Sequence, residues 1–227
     1  FISTLSHEIR NPLGFIKGYT TTLLRPDTQW DSSTTQEFLK IIEQETDRLQ
    51  ELIENLLDSA RLDSGLIVMN FQPVRLEAVL NDIVTRSQLH RPGLDIQLNI
   101  QPPIPPILAD PRRLSQVLEN LLNNVQKYAD GSPAIIHLQQ EDQSVVIHIM
   151  DRGPGIPEKF LPLIFERFFR NPEHATQVYG SGLGLYICKQ IILAHHGNIE
   201  VESIVGKGTT FIIVLPINQI LSTNKTG

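Results

Sequence analysis

In residues 39–60, apolar or small side chains recur at a spacing that alternates three and four: Leu39, Ile42, Thr46, Leu49, Ile53, Leu56, Ala60. This run narrows the possible folds more than any other feature of the chain. Such spacing keeps the side chains on one flank of a helix and makes the seam of a coiled coil. An earlier stripe, Ile2, Leu5, Ile9, Leu13, Ile16, Thr20 and Leu23, has helical spacing and stops before Arg25-Pro26-Asp27, as expected where proline ends a helix. Ser33 or Thr34 is positioned to cap the second helix, with Glu37 completing a capping box. Two helices with such stripes cannot cover both as an isolated hairpin. Pairing of two copies into a four-helix bundle is the economical solution, and homodimerisation is expected.

After Leu62-Asp63-Ser64-Gly65 the pattern changes. Leu76, Val79, Leu80, Ile83 and Val84 mark an amphipathic helix, Leu94 to Ile100 alternates as a strand, and Pro102 to Pro106 form a loop. Asp110 caps a helix with Pro111 at its first position, carrying Leu114, Val117, Leu118, Leu121, Leu122 and Val125. Ala134 to Gln139 and Val145 to Asp151 read as a hairpin, residues 185–195 as a helix, and Ile199 to Ser203 with Thr209 to Leu215 as a second hairpin. The expectation is a helical domain over residues 1–64, an α/β sandwich with a mixed sheet over 65–221, and a tail over 222–227. Asp63 to Gly65 is the expected hinge.

A chain of 227 residues suits one large domain or two modest ones. Its net charge of -6 gives a nucleic-acid backbone nothing to bind, so nucleic acid is not an expected partner. The single cysteine, Cys188, excludes a disulfide framework and suits a reducing, cytoplasmic setting. The longest strongly apolar stretch, Phe211 to Ile217, is far shorter than a membrane span. Phe1 opens the sequence inside a helical pattern, as in a piece of a longer protein, so any membrane attachment is expected through segments outside it.

At about 100° per residue, His7 stands about 200° round the helix from both Leu5 and Ile9, which turns it away from the apolar stripe. A neutral imidazole is a competent nucleophile, Glu8 could orient it or take its proton, and Asn11 follows one turn later on the same face. A histidine beside a glutamate on a helix is more often an ordinary solvated pair, and local spacing does not decide between the two. Asn120 and Asn124 share one face of the Pro111 helix, with Lys127 and Tyr128 a turn later; amide oxygens and a lysine suit a magnesium-bound triphosphate, although a solvated polar face would look the same. Asp151 ends a strand before Gly153 and Gly155, where a fixed carboxylate could accept the exocyclic amine of adenine. Gly180-Ser181-Gly182-Leu183-Gly184 leads into a helix whose first N–H groups suit phosphate. A dinucleotide-binding turn would also be glycine-rich, but it should follow a strand, whereas Phe165 to Tyr179 is polar and broken. That segment suits a mobile lid anchored by Phe165, Phe168 and Phe169.

The string FISTLSHEIRNPL at residues 1–13 resembles the phosphoacceptor box of sensor histidine kinases. In order, LENLLNNVQKYAD, DRGPGIP, FERFFR, GSGLGL and GKGTTF resemble the nucleotide-binding boxes of the same family. The resemblance implies a dimeric helical phosphotransfer domain followed by the Bergerat-type ATP-binding fold shared with gyrase, Hsp90 and MutL. It implies phosphorylation of His7 from ATP, with Glu8 assisting and Asn11 positioning water to dephosphorylate a response-regulator receiver domain, the partner that also accepts the phosphoryl group. Pro12 matches the family's helix-bending proline. By the same resemblance Asn124 is the main Mg2+ ligand and Asn120 supports it, Lys127 meets phosphate, Tyr128 lines the base and Asp151 reads adenine. Arg170 reaches the γ-phosphate, and Gly153, Gly155, Gly180, Gly182, Leu183, Gly184 and Thr209 complete the wall. Val125 and His196 depart from the family's usual alanine and glycine, as packing variation. Two rivals remain: a nucleotide-binding scaffold without kinase activity, against which the complete residue set argues, and a gyrase-like ATPase, weakened because Asn120 stands where a hydrolytic glutamate belongs. His195 and His196 complete no metal site.

Overall fold

A computed structural model of the chain describes residues 2–63, 69–90, 93–129, 131–172 and 180–217. Ser64 and Gly65 of the expected hinge, and the tail expected from Ser222, lie outside them. Helices α1 (Ile2–Leu23) and α2 (Ser32–Asp63) form an antiparallel hairpin. At its closed end Trp30 donates its indole N–H to the Thr22 carbonyl at 3.1 Å, and the Phe38 ring lies 5.1 Å from Tyr19 and 5.3 Å from Trp30. The cap of α2 is neither Ser33 nor Thr34 but Asp31, whose carboxylate accepts the Thr34 backbone N–H at 2.8 Å and its hydroxyl at 2.6 Å. A carboxylate has charge to offer the positive end of a helix, where a hydroxyl has only a dipole.

The coiled-coil seam is only half covered. Among the described residues of α2, Leu52, which lies off the stripe, and Ser59 are buried, whereas Leu13 (48%), Leu39 (52%) and Ile53 (46%) stay about half exposed. Two helices meet along one line, which leaves seam residues away from that line on the flank.

The α/β part begins with a small two-stranded sheet, β1 (Gln72–Val74) antiparallel to β3 (Ile107–Ala109), which alternation over such short segments did not reveal. The main sheet runs β2 (Ile96–Gln101), β4 (Ala134–Glu141), β5 (Ser144–Met150), β7 (Gly208–Pro216), β6 (Asn198–Ile204), parallel between β2 and β4 and antiparallel elsewhere. It is thus mixed, as expected. Helices α3 (Leu76–His90), α4 (Pro111–Tyr128) and α5 (Gly184–Ala194) supply the second layer. The buried stripe of α4, Leu114, Val117, Leu118, Leu121, Leu122 and Val125, joins Ile136, Leu138, Ile147, Ile149, Phe211 and Ile213 in one core. Each such side chain contributes roughly 1.5–3 kcal/mol by leaving water.

Asp110 caps α4 by accepting the N–H groups of Arg112 at 3.0 Å and Arg113 at 3.1 Å on Oδ1. Its own N–H donates to Nε2 of fully buried His195 at 3.0 Å. Because Nε2 accepts, the ring proton sits on Nδ1 and goes to the Ile191 carbonyl at 2.8 Å. His195 is therefore a neutral strut between the end of α5 and the start of α4, with the Phe71 ring 5.4 Å away, edge-on. Burial holds its pKa below the ordinary histidine value.

Candidate functional site

One cleft gathers residues from four directions. Asn120, Asn124, Lys127 and Tyr128 come from α4, Asp151 from the end of β5, Gly180, Gly182 and Gly184 from the turn into α5, and Thr209 from β7. Spacing of four along α4 stacks the two asparagines one turn apart, as their residue numbers require. Asp151 is fixed by two backbone donors that both use Oδ1, Gly153 N–H at 2.7 Å and Thr209 N–H at 3.2 Å. Oδ2 is left for a ligand. Burial pushes the Asp151 carboxyl above the usual range, and those two hydrogen bonds pull the other way. The Tyr128 phenol is also pushed up by burial, opposed by the Arg170 charge.

Helix α5 starts without a side-chain cap, so its first N–H groups remain available to an anion. Gly182 takes φ +66, and a Cβ there would meet the Phe168 backbone at 2.6 Å; glycine is needed both for the conformation and for the approach. The Phe168 N–H donates to the Gly182 carbonyl at 2.9 Å. Phe165 is buried and Phe169 lines the cleft; residues 173–179 of the expected lid lie outside the described residues.

Gly153 and Leu183 do not line the cleft. A Cβ on Gly153 would strike Ala129 Cβ at 2.8 Å, and Leu183 is wholly buried; both sit behind the wall, shaping it through backbone and packing. Asn11 is exposed on α1, and His7 is described only by its place in that helix, its side chain lying outside the described atoms.

The far wall was not legible in the sequence: it belongs to the hairpin. Glu51 and Asn55 of α2 line the same cleft. Both stand on the polar flank of the coiled-coil pattern, which says where water-facing groups are but not what docks on them. Side-chain contacts among the described residues hold the two parts together. Arg170 Nη1 pairs with Glu8 Oε1 at 2.9 Å, and Arg167 Nη2 donates to Ser59 Oγ at 3.0 Å. Asp58 Oδ2 accepts from Arg113 Nη1 and Gln116 Nε2, each at 2.8 Å. An adjoining cavity, lined by Glu8, Pro12, Arg48, Glu51, Leu52, Asn55, Lys127, Gly180 and Ser181, leads from the cleft to α1.

The donor set suits a hard cation on a polyphosphate. Asn120 Nδ2 is buried with only the Cys188 sulfur bearing on it and no hydrogen bond of good geometry; such a donor costs about 1–3 kcal/mol until it meets an acceptor such as a phosphate oxygen, and the amide oxygen is the atom that suits the cation. Lys127 makes no ion pair among the described residues. Cys188 offers nothing: burial pushes its thiol up to about 12, leaving it an inert core group. Among the described residues no group of histidines, cysteines and carboxylates could hold a metal, and no helix is long and apolar enough to cross a membrane.

Comparison with known proteins divides the chain similarly. Residues 1–65 match the His Kinase A (phospho-acceptor) domain, and residues 109–219 match the histidine kinase-, DNA gyrase B- and HSP90-like ATPases. The circadian input-output histidine kinase CikA of Synechococcus elongatus is 32% identical, over 97% of this chain and 30% of that protein. Of solved structures, the mycobacterial sensor histidine kinase MprB is 32% identical with a TM-score of 0.56, over 64% of this chain and 97% of that one. Full-length ShkA in complex with AMPPNP is 28% identical with a TM-score of 0.72, over 96% of this chain and 45% of that one. The chain spans about a third of the length of the curated relatives it matches.

Proposed function

Since the chain belongs to the sensor histidine kinases, we propose that it moves the γ-phosphoryl group of ATP to His7, and from there to an aspartate of a response-regulator receiver domain. The observation that carries this reading is the mixed ownership of the cleft. Asn124, Lys127 and Asp151 stand on one wall, and Glu51 and Asn55 of the hairpin that bears His7 stand on the other.

Asp151 Oδ2 accepts the exocyclic amine of adenine, and Tyr128 lines the base. Asn124, supported by Asn120, holds Mg2+, which supplies charge neutralisation on the triphosphate. Lys127 and the uncapped N–H groups at the start of α5 take the phosphates, and Arg170 contributes its charge near the γ-phosphate. A ring nitrogen of His7 attacks the γ-phosphorus in line. The N–P bond forms as the P–O bond to ADP breaks, and Glu8 accepts the imidazole proton released. Alignment and charge neutralisation supply most of the rate, since phosphoryl transfer asks little covalent chemistry of the protein. Asn11, exposed near the acceptor, positions water for the reverse duty, dephosphorylating the regulator. Residues 1–64 form the dimerisation and phosphotransfer domain and residues 65–221 the ATP-binding domain. The exposed seam of Leu13, Leu39 and Ile53 supports a homodimer, and the single buried cysteine suits the cytoplasm.

The test is incubation with γ-labelled ATP and Mg2+. The expected product is base-stable, acid-labile label on the chain and none on a His7→Gln variant; label on that variant would overturn the assignment.

A further inference from the structure

We propose that Asn55 of α2 donates a hydrogen bond to the terminal phosphate of the bound nucleotide, so that the hairpin supplies part of the substrate site. The proposal rests on the kinase reading above and adds a substrate-binding residue to the same cleft.

Glu51, Asn55, Asp58 and Ser59 recur at intervals of three and four and therefore share one face of α2. The anchors beyond Asn55 are already engaged: Asp58 accepts from Arg113 and Gln116, and Ser59 Oγ from Arg167. Leu52 and Ser59, both buried, bracket Asn55 along the helix and hold that stretch in place. Asn55 itself is half-buried, and its amide makes no hydrogen bond among the described residues. A partly buried amide of this kind gains most from a partner that a ligand brings.

Its place in the cleft says which part of the ligand that is. The cleft and the cavity that leads to α1 have Glu51, Asn55, Lys127, Gly180 and Ser181 in common, whereas Tyr128 and Asp151, assigned to the base, line the cleft alone. The shared stretch is thus the mouth nearest α1, where the terminal phosphate must lie if a group on that helix is to receive it. Lys127 brings positive charge there. Glu51 has the wrong sign for a phosphate, which leaves Asn55 Nδ2 as the donor on the α2 wall, and an amide donates without adding a charge that must be desolvated. ADP lacks the phosphate at this position, so Asn55 distinguishes triphosphate from diphosphate.

Isothermal calorimetry on the full chain, with Mg2+ and either AMPPNP or ADP, tests this, and thermal melts check folding. Asn55→Ala should bind AMPPNP about tenfold more weakly or worse, as expected for a lost hydrogen bond to a charged group, and ADP within about twofold of wild type. Asn55→Asp sets a negative charge against the phosphate, and should lose AMPPNP more steeply than the alanine variant while ADP binding holds. AMPPNP affinity within about twofold of wild type in either variant, or an equal loss of AMPPNP and ADP, overturns the proposal; the equal loss is what a merely loosened hairpin would give. A wild-type chain that binds neither nucleotide overturns the kinase reading and this proposal with it. A wild-type chain that binds AMPPNP leaves that reading standing, and the variants then judge Asn55 alone.

Discussion

Substitution of Asp151 by asparagine separates what the carboxylate does for the ligand from what it does for the fold. Oδ1 accepts from Gly153 at 2.7 Å and from Thr209 at 3.2 Å. An asparagine of the same shape can offer its own Oδ1 to both donors, so the turn survives. The atom replacing Oδ2 becomes an NH2 donor facing the adenine amine, itself a donor. The lost hydrogen bond to a charged acceptor is worth about 1.5–3 kcal/mol, which is about 10- to 150-fold in nucleotide affinity, before the donor–donor repulsion is counted. Stability should move the opposite way. Burial raises the Asp151 pKa in the folded chain, so between the unfolded and folded values the native state binds more protons than the unfolded state. Stability from this group therefore falls as pH rises through that window. At neutral pH the ionised carboxylate is a liability to the empty protein, and Asp151→Asn should melt at or above the wild-type temperature. Calorimetric titration with an ATP analogue, alongside thermal melts without nucleotide, checks both limbs. Affinity within about threefold of wild type, a difference near 0.65 kcal/mol, would refute the adenine role. A clearly lowered melting temperature would refute the fold-neutral geometry.

Three further outcomes are expected. His195 has a lowered folded pKa, so the unfolded chain takes up its proton first, at about pH 6.5, and stability falls as pH drops below that value towards the folded one. A His195→Gln variant should be less stable throughout, with a shallower decline between pH 7.5 and 5.5 in denaturant melts; parallel curves would count against the strut. Asp58→Ala removes two 2.8 Å hydrogen bonds between hairpin and nucleotide domain, a loss of about 2 kcal/mol, and hydrogen exchange over the first turns of α4 should accelerate about 30-fold if docking controls it. Ile53→Glu puts a charge on the half-exposed seam and should shift the protein from dimer to monomer in light scattering; an unchanged dimer would move the interface elsewhere.

Legibility in the sequence followed the range of the interactions. Helix α4 could be read whole, because its cap, its proline and its apolar stripe act within a few residues of one another, and the same periodicity stacks Asn120 on Asn124. The strands of the main sheet were legible through alternation. Strands β1 and β3 were not, since three residues do not establish a period and a proline-rich loop adjoins the second. Asp31 was passed over for Ser33 and Thr34 because several cap formers stand together, and only the path of the chain chooses among them. His195 became intelligible only through Asp110, 85 positions away. Glu51 and Asn55 were hidden for a similar reason: a polar flank signals exposure, and what reaches it is decided by how two domains dock.

The Asp58 anchor also gives α2 a lever. Gln116, which it grips, is followed at intervals of one helical turn by Asn120 and Asn124 on the same face of α4. A rotation or shift arriving along α2 is thus delivered first to the end of a rigid rod whose other end carries the proposed magnesium ligands. A conformational signal that reaches α2 can thus enter the nucleotide site by mechanical transmission along a single helix.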